Sequence, residues 1–149
     1  MNPELTQLVA VLDGLRKGVL EELAGLSDAD ARRSTVPSGT NVAGLLQHLT
    51  FVESLWFEEI VAGRKARRGR RSMTVDPSIS LRTLRAEYRA ACAASNEIVA
   101  AVGDPAAPVT RNGKRQNLRW AMLAVIHETA RHAGHADIIR EQIDGTTGR

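Results

Sequence analysis

The sequence predicts an all-α protein, a four-helix bundle with a long crossover connection, on three observations. Four long segments place apolar residues three and four positions apart, the spacing of one face of an α-helix. No segment alternates apolar and polar residues in the way that predicts a β-strand. Seventeen residues, 64–80, separate the second and third helices, which is long for a tight hairpin and favours a crossover.

The first two helices are predicted from their apolar spacing and from residues that suit their ends. The first is expected over residues 3–24, with a proline in its first turn. One extra turn is expected at residues 29–33. The second helix is predicted to start at Thr40 or Asn41, either of which can cap it, and to end at residue 62, before Gly63.

The last two helices have equally clear boundaries. Ser80 is a good N-cap for the third helix, and Gly103 precedes a proline-containing stop. Between them and the fourth helix, residues 106–116 contain an Asn-Gly turn signal, but a stable hairpin is not expected. The fourth helix is predicted from Asn117 to the glycine at Gly145.

Composition indicates an ordinary cytoplasmic protein with a single domain, residues 1–149. Apolar residues make up 43% and charged residues 25% of the chain. Cys92 is the only cysteine, which excludes an intrachain disulfide and fits a reducing compartment. No membrane-spanning run and no signal sequence is apparent. The net charge of +3 is concentrated at residues 64–71, where six of eight residues are Arg or Lys.

Three residues with ligand chemistry are expected to meet inside the bundle. Glu128 and His132 are one turn apart on the fourth helix, and His48 lies at the edge of the apolar face of the second. Two imidazoles and a carboxylate suit Zn²⁺, although Ni²⁺, Fe²⁺ and Mn²⁺ accept the same set. Alternatively, His48 has a backbone partner at the edge of the core and Glu128 pairs with Arg131. His127 is expected outside the site, since it lies about 100° from Glu128.

Two segments carry a family resemblance. GLLQHLTFVESLWF, at residues 44–57, and ETARHAGHADIIRE, at residues 128–141, resemble the signatures of the DinB/YfiT-like superfamily of metal-dependent enzymes, and within it the mini-circle branch. The resemblance implies a four-helix bundle whose metal takes one ligand from the second helix and two from the fourth. By position these are His48, Glu128 and His132. Members similar to mycothiol-dependent maleylpyruvate isomerase have glutamate at the place of Glu128, and many relatives have glutamine where this chain has His135.

The same resemblance implies chemistry with a low-molecular-weight thiol. In the thiol-dependent branches the metal binds the sulfur of mycothiol or bacillithiol, which then attacks a small electrophile. A cationic rim for the thiol is expected from Arg119, Arg131 and Arg140, or from the loop Arg64–Arg71. Trp56 and Trp120 either line the electrophile's pocket or belong to the core. His135 is either a general base or a residue that orients a metal ligand.

Other functions remain open from the sequence. The family also contains hydrolase-like members, and a metal-binding stress protein without thiol chemistry, with or without dimerisation, has the same ligand set. The basic loop Arg64–Arg71 also suits phosphate binding, but it has no interleaved aromatic residue and belongs to no DNA-binding motif. A nucleic-acid partner is therefore the least favoured alternative, and no membrane partner is expected.

Overall fold

The computed structural model describes residues 1–65 and 68–148 and is mainly helical, which confirms the predicted fold class. The elements are α1 (Pro3–Leu23), α2 (Asp28–Arg32), α3 (Val42–Glu53), a π-helical segment (Ser54–Val61), α4 (Leu81–Val102), β1 (Pro108–Arg111), β2 (Lys114–Asn117) and α5 (Leu118–Asp144). None of the helices in this described part is both long and apolar enough to cross a lipid bilayer.

The predicted helix ends are confirmed by their hydrogen bonds. Asn41, Ser80 and Asn117 each accept a hydrogen bond from the backbone N–H three residues ahead, which satisfies a donor that the first turn leaves free. Gly103 and Gly145 both adopt positive φ at the ends of α4 and α5. A residue with a β-carbon is strained in that conformation, so these glycines stop the helices.

Two apolar clusters, one at each end of the bundle, fix the direction of the helices. One cluster contains Leu23, Leu45, Leu84 and Ile139. The other contains Leu5, Phe57, Ile98 and Leu118. The start of α3 therefore packs beside the start of α4, and these two helices run parallel. Because parallel neighbours cannot be joined by a tight turn, residues 64–80 must return the chain along the bundle, as the predicted crossover does.

The second predicted helix is not α-helical to its end. Ser54–Val61 is π-helical, and the N–H of Ala62 donates to the carbonyl of Phe57, five residues earlier, at 2.9 Å. The Ser54 hydroxyl also donates to the buried Glu58 carboxylate at 2.7 Å. Apolar spacing does not distinguish one widened turn from an α-helix, so the sequence could not reveal it.

The expectation that residues 106–116 form no stable hairpin was wrong. β1 and β2 pair antiparallel through a turn in which Asn112 and Gly113 have φ of 51° and 73°, the conformation favoured by an Asn-Gly turn. Val109 of β1 is 5% exposed, and the hairpin contacts the π-helical segment and α5. This tertiary packing stabilises strands that are too short to be stable alone.

Candidate metal centre and the adjoining cavity

His48 from α3 meets Glu128 and His132 from α5 between the two helices. The Nε2 atom of His48 lies 3.9 Å from Oε2 of Glu128, and Nε2 of His132 lies 3.3 Å from the same oxygen. The two imidazole rings meet edge to face, with centroids 4.8 Å apart. Within the described residues, Glu128 pairs with these imidazoles and not with Arg131.

The separations within this triad suit a single divalent cation. One ligand atom from each side chain lies within 4.8 Å of the other two. Two atoms that are each about 2.1 Å from one zinc ion can be at most about 4.2 Å apart. The 3.3 and 3.9 Å separations from Glu128 meet this limit. The ligand atoms of the two imidazoles lie within 4.8 Å of each other, so they need at most a small rotation of the rings. Three protein ligands leave a coordination position for another molecule, as in catalytic zinc sites.

The ring of His48 is oriented by the crossover. Its Nδ1 atom lies 3.1 Å from the carbonyl oxygen of Arg71. Because a carbonyl can only accept, Nδ1 carries the hydrogen and donates it, and Nε2 of the neutral ring keeps its lone pair facing Glu128. Such a partner on the far nitrogen is the usual support of a metal-binding histidine.

The crossover is held against α3 by side-chain amides. The Nδ2 of Asn41 donates to the carbonyl of Met73 at 3.0 Å, and Nε2 of Gln47 donates to the carbonyl of Ser72 at 2.9 Å. Gly69, at φ +65°, lies so close that a β-carbon there would be 2.6 Å from the carbonyl oxygen of Gln47. These contacts place the Arg71 carbonyl at His48.

His132 is supported in a different way. Its Nδ1 lies 3.3 Å from Nδ1 of His135, so one of the two rings donates to the other. When His132 is the donor, its Nε2 keeps a lone pair facing Glu128. Burial lowers the pKa of His132, and the proximity of the His48 imidazole lowers it further. Both effects favour the neutral ring that a metal requires.

A cavity of about 460 Å³ opens beside the triad, with His48 and Glu128 in its wall. Trp56 and Trp120 line it and meet edge to face, with ring centroids 5.2 Å apart. Trp56 is only 5% exposed, so it belongs to the core and to the wall at once. The two sequence alternatives for the tryptophans are therefore both correct for this residue.

Two arginines also line this cavity, and each lies over an aromatic ring. The guanidinium carbon of Arg111 is 4.3 Å from the ring centroid of Trp56. That of Arg71 is 5.6 Å from the centroid of Phe51. Arg71 belongs to the predicted basic loop, whereas Arg111 was missed because the hairpin that carries it was not expected. The Asn-Gly turn beside it was the available signal.

The other arginines proposed for the rim have different surroundings. Arg119 pairs with Glu4 of α1, and Arg140 donates to the carbonyl oxygens at the end of α1 and pairs with Asp144. Arg131 is exposed and does not line the cavity. In the basic loop, Arg68 pairs with the buried Glu58, and Arg67 lies outside the described residues.

The remaining predicted residues lie around the triad. His127, expected outside the metal site, is not a member of the triad, although it lines the same cavity as Glu128. His135 does not line it but borders a separate cavity beside Ile138. Its contact with His132 favours the orienting role over that of a base acting in the cavity. Cys92 is partly buried, and burial raises the pKa of its thiol to about 12, which fits a packing role better than a reactive one.

One comparison with known proteins is informative about the whole chain. A family model described as mycothiol-S-transferase matches residues 7–145, from the first turns of α1 to the glycine after α5. The match includes all three triad residues and both strands of the hairpin. No curated protein matches the chain.

Proposed function

The chain belongs to the mycothiol S-transferase family, and from this premise we propose that it is a metal-dependent enzyme that joins the sulfur of mycothiol to small electrophiles. The metal is held by His48, Glu128 and His132, and Zn²⁺ is the favoured ion. The single observation that carries the proposal is the position of this triad beside a cavity lined by tryptophans and arginines, with His48 and Glu128 in the cavity wall. The DinB-like resemblance of the two signature segments points the same way.

The triad is suited to activate a thiol that enters from the cavity. A divalent cation bound there supplies positive charge that lowers the pKa of a coordinated thiol and favours the nucleophilic thiolate. Arg71 and His135 keep the far nitrogens of the two imidazoles engaged, so that both Nε2 atoms face Glu128. In the transfer, sulfur forms a bond to the electrophilic carbon, the bond to the leaving group breaks with its electron pair, and the thiol proton goes to solvent.

The cavity wall contributes orientation and partial exclusion of water. Trp56 and Trp120 offer flat apolar faces to the carbon skeleton of the electrophile. The side chain of Glu128 is 34% exposed and that of His132 is 12% exposed, so the site is sheltered while one side stays accessible. This arrangement allows two co-substrates to meet above the triad.

Metal content is the first test. Protein purified without chelator or nickel resin is expected to contain about one equivalent of zinc, and His48→Ala and His132→Ala are expected to lose it. His127→Ala is the matched control, because this imidazole borders the same cavity outside the triad. Full metal content in both ligand variants would refute the site.

Thiol binding is the second test. Cobalt replaces zinc in such sites and has an absorption spectrum that responds to its ligands. Addition of mycothiol to the cobalt protein is expected to produce a sulfur-to-metal charge-transfer band, and product formation with an alkylating electrophile is expected to require the metal. A spectrum that mycothiol leaves unchanged would instead indicate a metal-binding protein without thiol chemistry.

A further inference from the structure

The geometry points to a substrate class: we infer that Arg71 and Arg111 select electrophiles that carry a carboxylate, which they bind while the reacting carbon faces the triad. The orientation of the reacting carbon rests on the proposed function, whereas binding of the carboxylate by the two arginines does not. Carboxylate recognition needs fixed guanidinium groups, free donors and an apolar cavity for the rest of the molecule. The described residues provide each of these.

Both guanidinium groups are oriented before any ligand binds. Arg111 lies over the ring of Trp56 at 4.3 Å and Arg71 over that of Phe51 at 5.6 Å. Stacking on an aromatic face uses the flat surface of the guanidinium and leaves the N–H groups at its edge available. The two side chains come from different parts of the chain, the crossover and β1, yet they line one cavity.

Neither charge is neutralised by a carboxylate in the described part of the chain. Within residues 1–65 and 68–148, no carboxylate forms an ion pair with Arg71 or Arg111, whereas Arg16, Arg68, Arg119 and Arg140 all have acidic partners. The carboxylate in the cavity wall is Glu128, which is turned towards the two imidazoles. Two unpaired cations in a partly apolar cavity therefore favour an anionic ligand.

The chemistry of the ligand follows from the donors. A guanidinium edge donates two parallel N–H groups, which match the two oxygens of a carboxylate. A neutral amide of the same shape offers only one acceptor and no charge. The thiol sulfur is expected beside the triad and offers these donors no oxygen acceptor, so the guanidinium groups suit the other co-substrate.

Tryptophan fluorescence measures this binding without any reaction. The chain has two tryptophans, and both line the cavity. The protein as purified is titrated, without thiol, with 3-phenylpropanoate and with the matching amide. Saturable quenching is expected with the carboxylate at a concentration at least about tenfold lower than with the amide. Equal binding of the two compounds would overturn the inference.

Charge-removing variants assign the effect to these arginines. Arg71→Met and Arg111→Met keep a long apolar side chain over the ring, and each is expected to weaken carboxylate binding about tenfold. Arg115→Met removes an exposed charge from β2 of the same hairpin and is expected to bind as wild type does. If both cavity variants also bind like wild type, the carboxylate is held elsewhere, for example by the metal, and the inference is wrong.

Kinetics separates this inference from the proposed function. With mycothiol as co-substrate, the kcat/KM ratio between a 4-(halomethyl)benzoate and its amide is expected to exceed about ten and to fall towards one in Arg111→Met. If this variant instead raises the KM for mycothiol and leaves the ratio unchanged, the arginines hold the thiol and the inference fails. Carboxylate-selective quenching without any thiol transfer would refute the proposed reaction alone.

Discussion

Replacing Gly69 by alanine is expected to weaken metal binding through the crossover, without touching a ligand. The added β-carbon would lie 2.6 Å from the carbonyl oxygen of Gln47 and 2.7 Å from the backbone nitrogen of Phe51. Both are backbone atoms of the continuous helix formed by α3 and the π-helical segment, which cannot easily yield. The crossover therefore has to move away by several tenths of an ångström. The hydrogen bond from His48 to the Arg71 carbonyl, now 3.1 Å, would then lengthen or break.

Two contributions determine the size of the effect. Alanine at φ +65° is strained by about 1–2 kcal/mol, whatever its surroundings. Loss of a hydrogen bond that orients a metal-binding histidine typically lowers metal affinity about 10- to 100-fold. Gly63 supplies the matched control, because it has nearly the same φ, +66°, and a β-carbon there meets no atom within 4 Å. Gly63→Ala therefore includes the strain without the displacement.

The assays are urea unfolding for stability and competition with a chromogenic chelator for zinc affinity. Both alanine variants are expected to lose free energy of unfolding, Gly69→Ala more than Gly63→Ala. Only Gly69→Ala is expected to lose zinc affinity when the proteins are compared under folded conditions. Equal zinc affinity in the two variants would refute the coupling between the crossover and His48.

Three further predictions concern stability and reactivity. Arg16→Met is expected to lower the free energy of unfolding by about 3–5 kcal/mol, because it leaves the buried Glu53 without its bidentate partner. Urea unfolding measures this loss. The double variant Arg16→Met/Glu53→Met should recover much of the lost stability. Burial, and then the neighbouring Asp137, raise the pKa of Glu22 from 4.5 to about 7. The folded protein therefore holds this proton more tightly than the unfolded chain, and the contribution of Glu22 to stability should fall as the pH rises from 4.5 to 7. Glu22→Gln should flatten that part of the pH profile of the melting temperature. Burial raises the pKa of Cys92 to about 12, so this partly buried thiol should resist iodoacetamide at pH 8 until urea unfolds the protein. Rapid alkylation of the native protein would contradict the raised pKa.

Much of the bundle was predictable because its signals are local. Helix spacing and caps depend on residues within a few positions of one another, and for this reason the bounds of α1, α4 and α5 were predicted to within about two residues. The pairing of Glu128 with His132 has the same local origin, since one helical turn separates them. The assignment of His48 to the same site depended on the predicted bundle and on the family resemblance. The distances between the ligand atoms of the three side chains agree with that assignment.

The sequence predictions failed where local spacing does not determine the structure or where contacts with distant segments do. Four-residue strands are not stable alone, so the hairpin of β1 and β2 depends on burial of Val109 against the helices. The π-helical turn at Ser54–Val61 has the same apolar spacing as an α-helix. Arg119 and Arg140 looked available in the sequence, but both bind α1, more than one hundred residues away, and Arg140 also pairs with Asp144.

The spacing of residues along the chain was enough to predict which helices form, where they end and which of their faces carry the side chains of the proposed metal site. The folded structure was needed to show which arginines beside those side chains have no acidic partner among the described residues. Arg71 and Arg111 look like any surface arginines in the sequence. They line one cavity, with no acidic partner in residues 1–65 and 68–148, because the crossover lies along α3 and the hairpin packs on Trp56. Such contacts between distant segments leave no periodic pattern in the sequence.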